Sequence, residues 1–247
     1  MSNVNKLIIG ENVTDAWIKS ISFLKDNGCK CYNLIVEIEN PILEDIAVKK
    51  DIDTILLSGT DPEQQVETVA NTIFPKALDS LGKPREELYQ RFHSIYPLLR
   101  KVRKNQNGTY FGRLVSWGIE NGDGGHNQLE QTITKLEQAK RSESPKKVRY
   151  EMSIYNPIQD GSKLIGFPCM SFISIKIRGN SLDMTVMYRN QFFGSKAYGN
   201  YLGLGRLLDF ICRCSDYEVG KLTCIATHAD LEGYKRPFTK LIEKNSH

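Results

Sequence analysis

Nowhere in this 247-residue chain does an apolar run approach the roughly 20 residues needed to cross a membrane, and Met1 to Gly10 has no basic patch leading into an apolar stretch. The expectation is a soluble, unsecreted, cytoplasmic protein with no membrane partner. Charge of one sign is equally scarce. The 33 basic and 29 acidic residues leave +4, too weak a field to hold a long polyanion, so no nucleic acid is expected and a mononucleotide fits better than a duplex. Six cysteines, Cys29, Cys31, Cys169, Cys212, Cys214 and Cys224, are too dispersed for a disulfide scaffold. The Cys29/Cys31 and Cys212/Cys214 pairs enclose one residue, not the two to four of zinc knuckles, so no metal is expected. Gly203-Leu204-Gly205 lacks the third glycine of a dinucleotide loop, and the glycines at 122–125 have no Lys-Ser/Thr for a P-loop. There is no internal repeat and no linker. What is present, 40% hydrophobic and 9% aromatic residues, suffices for a substantial core in one α+β or α/β body spanning 1–247.

Apolar periodicity sets out the elements. Trp17, Ile18, Ile21 and Leu24 recur at helical spacing over residues 15–25, stopped by Asn27-Gly28. Leu34, Val36 and Ile38 alternate over 33–39, a strand ended by Asn40-Pro41. Residues 54–57 are too short to assign. Asp61-Pro62-Glu63 reads as a helix start leading into 66–81 with Gly82 as the stop, and a second helix is predicted from 84 to about 104. Loops are expected at 101–108 and 121–125, with an aromatic, β-prone segment at 109–117 between them and a helix at 128–140 beyond. From Val148 the pattern is mostly β, with strands at 150–154, 169–177 and 182–187, a long apolar helix at 199–212, a last strand at 222–226 and a polar tail.

Chemistry concentrates around Cys169, which a proline-fixed turn in Gly166-Phe167-Pro168-Cys169-Met170 delivers to the mouth of a predicted strand. Alone, it reads equally as a small buried hydrophobe. Tyr188-Arg189-Asn190 ends the next strand, so antiparallel pairing returns a guanidinium beside the thiol, where a cation favours the thiolate and a planar fork suits a phosphate. Asn200 opens a helix; its amide is either an N-cap or a reader of a uracil edge, which needs one donor and one acceptor.

Pro168-Cys169, the intervals to Tyr188-Arg189 and to Asn200, the apolar helix behind Asn200 and His228 near a strand end together resemble the C-terminal half of thymidylate synthase. The likeness is best over 148–230. It extends upstream through Asn127-Gln128-Leu129, Tyr155-Asn156-Pro157 and Tyr110-Phe111-Gly112, and Glu39-Asn40-Pro41 is similar to the start of archaeal-type members. The resemblance implies an α+β thymidylate-synthase-like fold, a large mixed β-sheet flanked by helices in a single domain. It implies a transferase that adds a methyl or hydroxymethyl group to C5 of a pyrimidine nucleoside monophosphate, with 5,10-methylenetetrahydrofolate as donor. In that scheme Cys169 attacks C6, Arg189 holds the phosphate and polarises the thiol, Asn200 reads uracil, Asn190 is a further substrate contact, His228 contacts the ribose or a site water, and Asp230 can serve the ribose. Arg149 falls where the family lends an arginine across a homodimer interface; it reads equally as a solvated strand end beside Lys146 and Lys147.

The chain departs from the family at several points. Asn190-Gln191-Phe192 puts Phe192 where an Asp engages the folate, and Phe192 accepts no hydrogen bond from a pterin. The glycine expected a few positions later is matched by Lys196 or displaced to Gly194. The His-x-Tyr ribose contact reads His228-Ala229-Asp230, Val148 replaces a phosphate arginine, and Lys30 is the nearest candidate for another. The Glu-Leu-Leu-Trp helix has no counterpart. The losses lie on the folate and proton-transfer side. Two further readings therefore stand: a same-fold enzyme with altered, folate-independent chemistry, and a non-catalytic nucleotide-binding protein.

Overall fold

The computed structural model describes residues 6–58, 65–118 and 125–245, so the helix start expected at 61–63 and most of the glycine loop at 121–124 lie outside the described residues. The framework is one mixed sheet of seven strands: β1 (Leu7–Asn12), β2 (Lys30–Asn40), β3 (Tyr150–Ser153), β4 (Met170–Arg178), β5 (Ser181–Tyr188), β6 (Gln191–Phe192) and β7 (Glu218–Asp230). Their spatial order is β1-β2-β7-β5-β4-β3, with β6 on the end of β7. β1 runs parallel to β2 and β5 parallel to β7, while the β2/β7, β4/β5 and β3/β4 pairs are antiparallel.

One face of the sheet carries the core. Leu34, Val36 and Ile38 of β2 align with Ala226, Cys224 and Leu222 of β7, all fully buried. Against them lie α1 (Val13–Asp26) and the long α8 (Ala197–Ser215). Trp17 of α1 is fully buried, and its indole donates to the Phe193 carbonyl at 3.0 Å, so its polar atom is satisfied inside the core. Truncation of such a ring costs on the order of 3–5 kcal/mol. Around these two helices lie α2 (Ile46–Leu57), α3 (Val66–Ile73), α4 (Arg85–Leu99), α5 (Tyr110–Val115), α6 (Gln128–Lys140), α7 (Pro157–Asp160) and α9 (Lys235–Asn245). α8 approaches α3 closely because a Cβ on Gly203 would stand 2.7 Å from the Ala70 carbonyl. Among the described residues no helix is long and apolar enough to cross a membrane.

The other face is more open. Register aligns Leu7, Ile35, Ile225, Met187 and Phe172 into one row across five strands, and each of them is half-buried or exposed.

Five sequence expectations change. The β-prone segment 109–117 contains the helix α5, because Thr109 Oγ1 caps the Gly112 N–H at 3.1 Å and tertiary burial of Phe111, Leu114 and Val115 overrides their strand preference. The helix expected to run to 81 stops at Ile73, before Pro75, and α4 stops at Leu99 rather than near 104. Residues 54–57 end a full helix, α2, whose start is set by Asp45 accepting from the Ala47 and Val48 N–H groups. The polar tail forms α9, which buries Phe238, Leu241 and Ile242.

Candidate active site

The site is built where β4 begins and β5 ends. A turn over Gly179 and Asn180 joins these strands, and a bulge between Met170 and Phe172 shifts the register so that Met170 pairs with Tyr188 and Cys169 meets Arg189 just beyond the ladder. The Arg189 N–H donates to the Cys169 carbonyl at 2.9 Å. The guanidinium folds back over the residues preceding the thiol, donating from Nε to the Pro168 carbonyl at 3.0 Å and from Nη2 to the Phe167 carbonyl at 3.1 Å, and stacking 3.7 Å above the Phe167 ring. Nη2 thereby lies 3.9 Å from Cys169 Sγ. Cys169 is half-buried, Arg189 is exposed, and the Nη1 donors carry no bond among the described residues.

A buried ion pair ties α5 to the turn at 154–160. Asp160, with no side-chain exposure, takes both guanidinium branches of Arg113 at 2.5 and 2.9 Å and the Asn156 N–H at 3.0 Å. Burial alone would raise the Asp160 carboxyl, but these hydrogen bonds outweigh it and hold the group below its usual value. Arg113 also donates to the Ile154 carbonyl at 2.9 Å, pinning the 154–160 turn to α5. The same helix brings in Tyr110, whose hydroxyl accepts from the Met170 N–H at 3.5 Å. Desolvation raises the Tyr110 phenol and the neighbouring Cys169 adds to that, so it is a neutral hydrogen-bonding group beside the thiol. In the sequence Tyr110 stands out only as part of an aromatic motif, because no spacing rule connects residues 60 apart.

The remaining site residues divide by place. Asn190 Oδ1 lies 2.6 Å from His228 Nδ1, joining the ends of β5 and β7, while Thr227 Oγ1 donates to the Arg189 carbonyl at 2.8 Å. Asn200 lies inside the first turn of α8, its N–H donating to the Lys196 carbonyl, so it is not the N-cap. It is 4% exposed, and its carboxamide makes no hydrogen bond among the described residues. Asp230 is already engaged, by Lys30 at 3.1 Å and by the Glu232 N–H at 2.7 Å. Phe192 in β6 pairs with Asp230 through the backbone. Arg149 is exposed and stands elsewhere: it precedes Tyr150, which faces Ile175, roughly 20 Å along β4 from Cys169 at 3.3 Å per residue.

Four of the other cysteines are held as thiols by their surroundings. Burial pushes Cys212 up to about 12 and Cys214 up to about 11, and raises Cys31 and Cys224, so these four are neutral thiols near pH 7. A solvent-open cleft of about 420 Å³ is lined by Tyr96, Arg100, Asn107, Arg113, Gln159 and Lys163, and none of the sequence-predicted site residues lines it.

No family model matches the chain. It is 24% identical over 237 residues to a protein of Methanosarcina mazei named "Putative thymidylate synthase", covering 92% of this chain and 89% of the relative. A protein of the same name from Methanosarcina acetivorans is 25% identical over the same length and coverage, and one from Methanosarcina barkeri is 28% identical over 123 residues, 50% of this chain and 52% of the relative. These likenesses support a distant thymidylate-synthase-like relationship.

Proposed function

We propose that this chain binds a uridine-type nucleoside monophosphate and adds a one-carbon unit, methyl or hydroxymethyl, to C5 through a Cys169 adduct at C6. The observation that carries the reading is the Cys169–Arg189 pair, held by strand register. In this scheme the thiolate adds to C6, the C5=C6 electron pair moves into an enolate, and C5 attacks a one-carbon electrophile. Loss of the C5 proton then re-forms the double bond and expels the thiolate. The free Nη1 donors of Arg189 suit a phosphate. The uncommitted Asn200 carboxamide can donate to O4 and accept from N3–H of uracil. Asn190, His228 and Asp230 lie toward the ribose.

The donor implied by the resemblance, 5,10-methylenetetrahydrofolate, does not fit the residues at β6. Phe192 offers no acceptor for a pterin, and the carboxylates nearby are engaged, Asp230 by Lys30 and Glu232 by the Ser195 N–H and hydroxyl at 2.9 and 2.8 Å. No step is routed through a folate. The same observation favours a second reading, a related enzyme with folate-independent chemistry on the same nucleotide.

A homodimer completes the proposal. The apolar row Leu7, Ile35, Ile225, Met187 and Phe172 on the open sheet face suits an isologous interface. A two-fold axis lying across the strands reverses one sheet against the other and carries the Arg149 end of one protomer toward the Cys169 end of its partner.

The test is release of tritium from C5-labelled UMP, dUMP, CMP and dCMP, with and without methylenetetrahydrofolate, beside Cys169→Ala. Cys169-dependent release from a uridine nucleotide is expected. Release without folate would favour the second reading, and no release from any nucleotide would sink both in favour of a binding role.

A further inference from the structure

We infer that Tyr32 is a substrate-contact residue whose outward-facing ring packs against the sugar of the bound nucleoside monophosphate, an inference that rests on the site reading proposed above. β2 alternates regularly from Leu34 to Ile38, burying every second residue, until Asn33 adopts a left-handed φ of 58°. There the alternation resets, and Cys31 and Leu34, three apart, are both buried. β7 breaks in the same place: Ala226 and Ala229 are buried, with Thr227 and His228 more exposed between them. The two breaks face one another in register, and Tyr32 stands directly opposite His228. Asparagine is among the few non-glycine residues that adopt this left-handed conformation readily, so Asn33 can supply the reset within the strand.

The product of this paired break is an aromatic side chain 67% exposed at the sheet end that holds the site. The Tyr32 ring centroid is 5.2 Å from that of His228, which bonds Asn190, the residue after Arg189. A nucleotide whose phosphate rests on Arg189 carries its sugar one ester linkage away, within reach of Asn190 and His228. The free face of Tyr32 borders that position. Asp230, the other polar group at this strand end, is already held by Lys30. Tyr32 therefore supplies the apolar surface against which a sugar ring packs, and its hydroxyl is a hydrogen-bonding group for the sugar edge.

The experiment is proton NMR and calorimetric titration of the full chain with dUMP and UMP. On binding to the wild type, the sugar H1′ and H2′ resonances are expected to move upfield through the Tyr32 ring current. Tyr32→Ala should abolish that movement and weaken binding about tenfold, whereas Tyr32→Phe, keeping the ring, should retain the shift and lose no more than about threefold. Asn33→Gly, which tolerates the left-handed backbone, should behave as wild type. Because Tyr32 is exposed, thermal melts of all three variants should overlay the wild type. Unchanged sugar shifts and affinity in Tyr32→Ala would overturn this inference and leave the site reading standing. Failure of the wild type to bind either nucleotide would overturn both.

Discussion

The main-chain N–H of Arg189 donates to the carbonyl of Cys169, and the guanidinium of the same residue reaches back to the Cys169 sulfur at 3.9 Å. Residues twenty apart in sequence are thus held by the β4/β5 register rather than by a flexible loop. The carbonyls that orient the guanidinium belong to Phe167 and Pro168, so thiol and cation move as a unit. Chemistry mounted on strand ends in this way keeps its geometry without a ligand to impose it.

If that anchoring matters, charge alone will not substitute for it. Arg189→Lys preserves a cation but loses the planar fork, the stack on Phe167 and the simultaneous bonds to two carbonyls. Cys169-dependent tritium release should fall by about 100-fold, with circular dichroism unchanged. A lysine variant within a few-fold of wild type would show that point charge suffices.

The Arg113–Asp160 pair makes a stability prediction. Asp160→Asn leaves a guanidinium, only 10% exposed, without its counter-charge, and should cost about 3–5 kcal/mol in urea unfolding. The double variant Arg113→Met/Asp160→Leu should recover much of that loss, because the penalty lies in the unpaired buried charge. Equal losses in the single and double variants would argue that the hydrogen bonds to Ile154 and Asn156 carry the stability instead.

Glu67 ties three helices together, taking both branches of Arg206 from α8 at 2.7 and 2.8 Å and Lys49 from α2 at 2.6 Å. The Arg206 hydrogen bonds lead in holding its carboxyl down to about 2, against an ordinary 4.5. A depressed folded-state value means that the stabilisation is complete above the unfolded value and is lost as pH falls from about 4.5 towards 2. The stability gap between wild type and Glu67→Gln should therefore be widest near neutrality and close across that window. Because the carboxylate is 45% exposed, screening limits the gap to about 1 kcal/mol. A gap constant from pH 7 to 2.5 would refute the assignment.

Legibility followed the range of the forces involved. α6 reads from the sequence to the residue because Leu129, Ile133 and Leu136 form one buried stripe and Asn127 caps it. The meeting of Cys169 and Arg189 is legible only to within one residue: an unbroken hairpin about Gly179 and Asn180 sets Cys169 against Asn190, and a bulge between Met170 and Phe172 moves its partner to Arg189. Tyr110 is not legible in this way, since its place beside the thiol depends on α5 docking through Arg113 and Asp160, and its own aromatic neighbourhood suggests a strand. β1 was not anticipated at all: it is a short edge strand with Leu7 and Ile9 exposed, lacking a clean two-residue period. The alternation of Leu34, Val36 and Ile38 makes Asn33 read as the start of a regular strand, and an asparagine permits but does not require the left-handed conformation found there.

Arg149 tests the proposed dimer most directly. It stands roughly 20 Å along β4 from Cys169 of its own protomer, so any role at the thiol must be played in a partner. Arg149→Ala and Cys169→Ala should each lack turnover as homodimers. After unfolding and refolding together in equal amounts, half the dimers pair the two variants, and each such dimer holds one complete site of two, so activity should return to about a quarter of wild type. Met187→Glu, placing a charge in the apolar row of the open sheet face, should abolish that recovery and shift the chain to a monomer in ultracentrifugation. Full turnover by Arg149→Ala alone would remove Arg149 from the site. Recovery that survives Met187→Glu would move the interface to another face of the molecule.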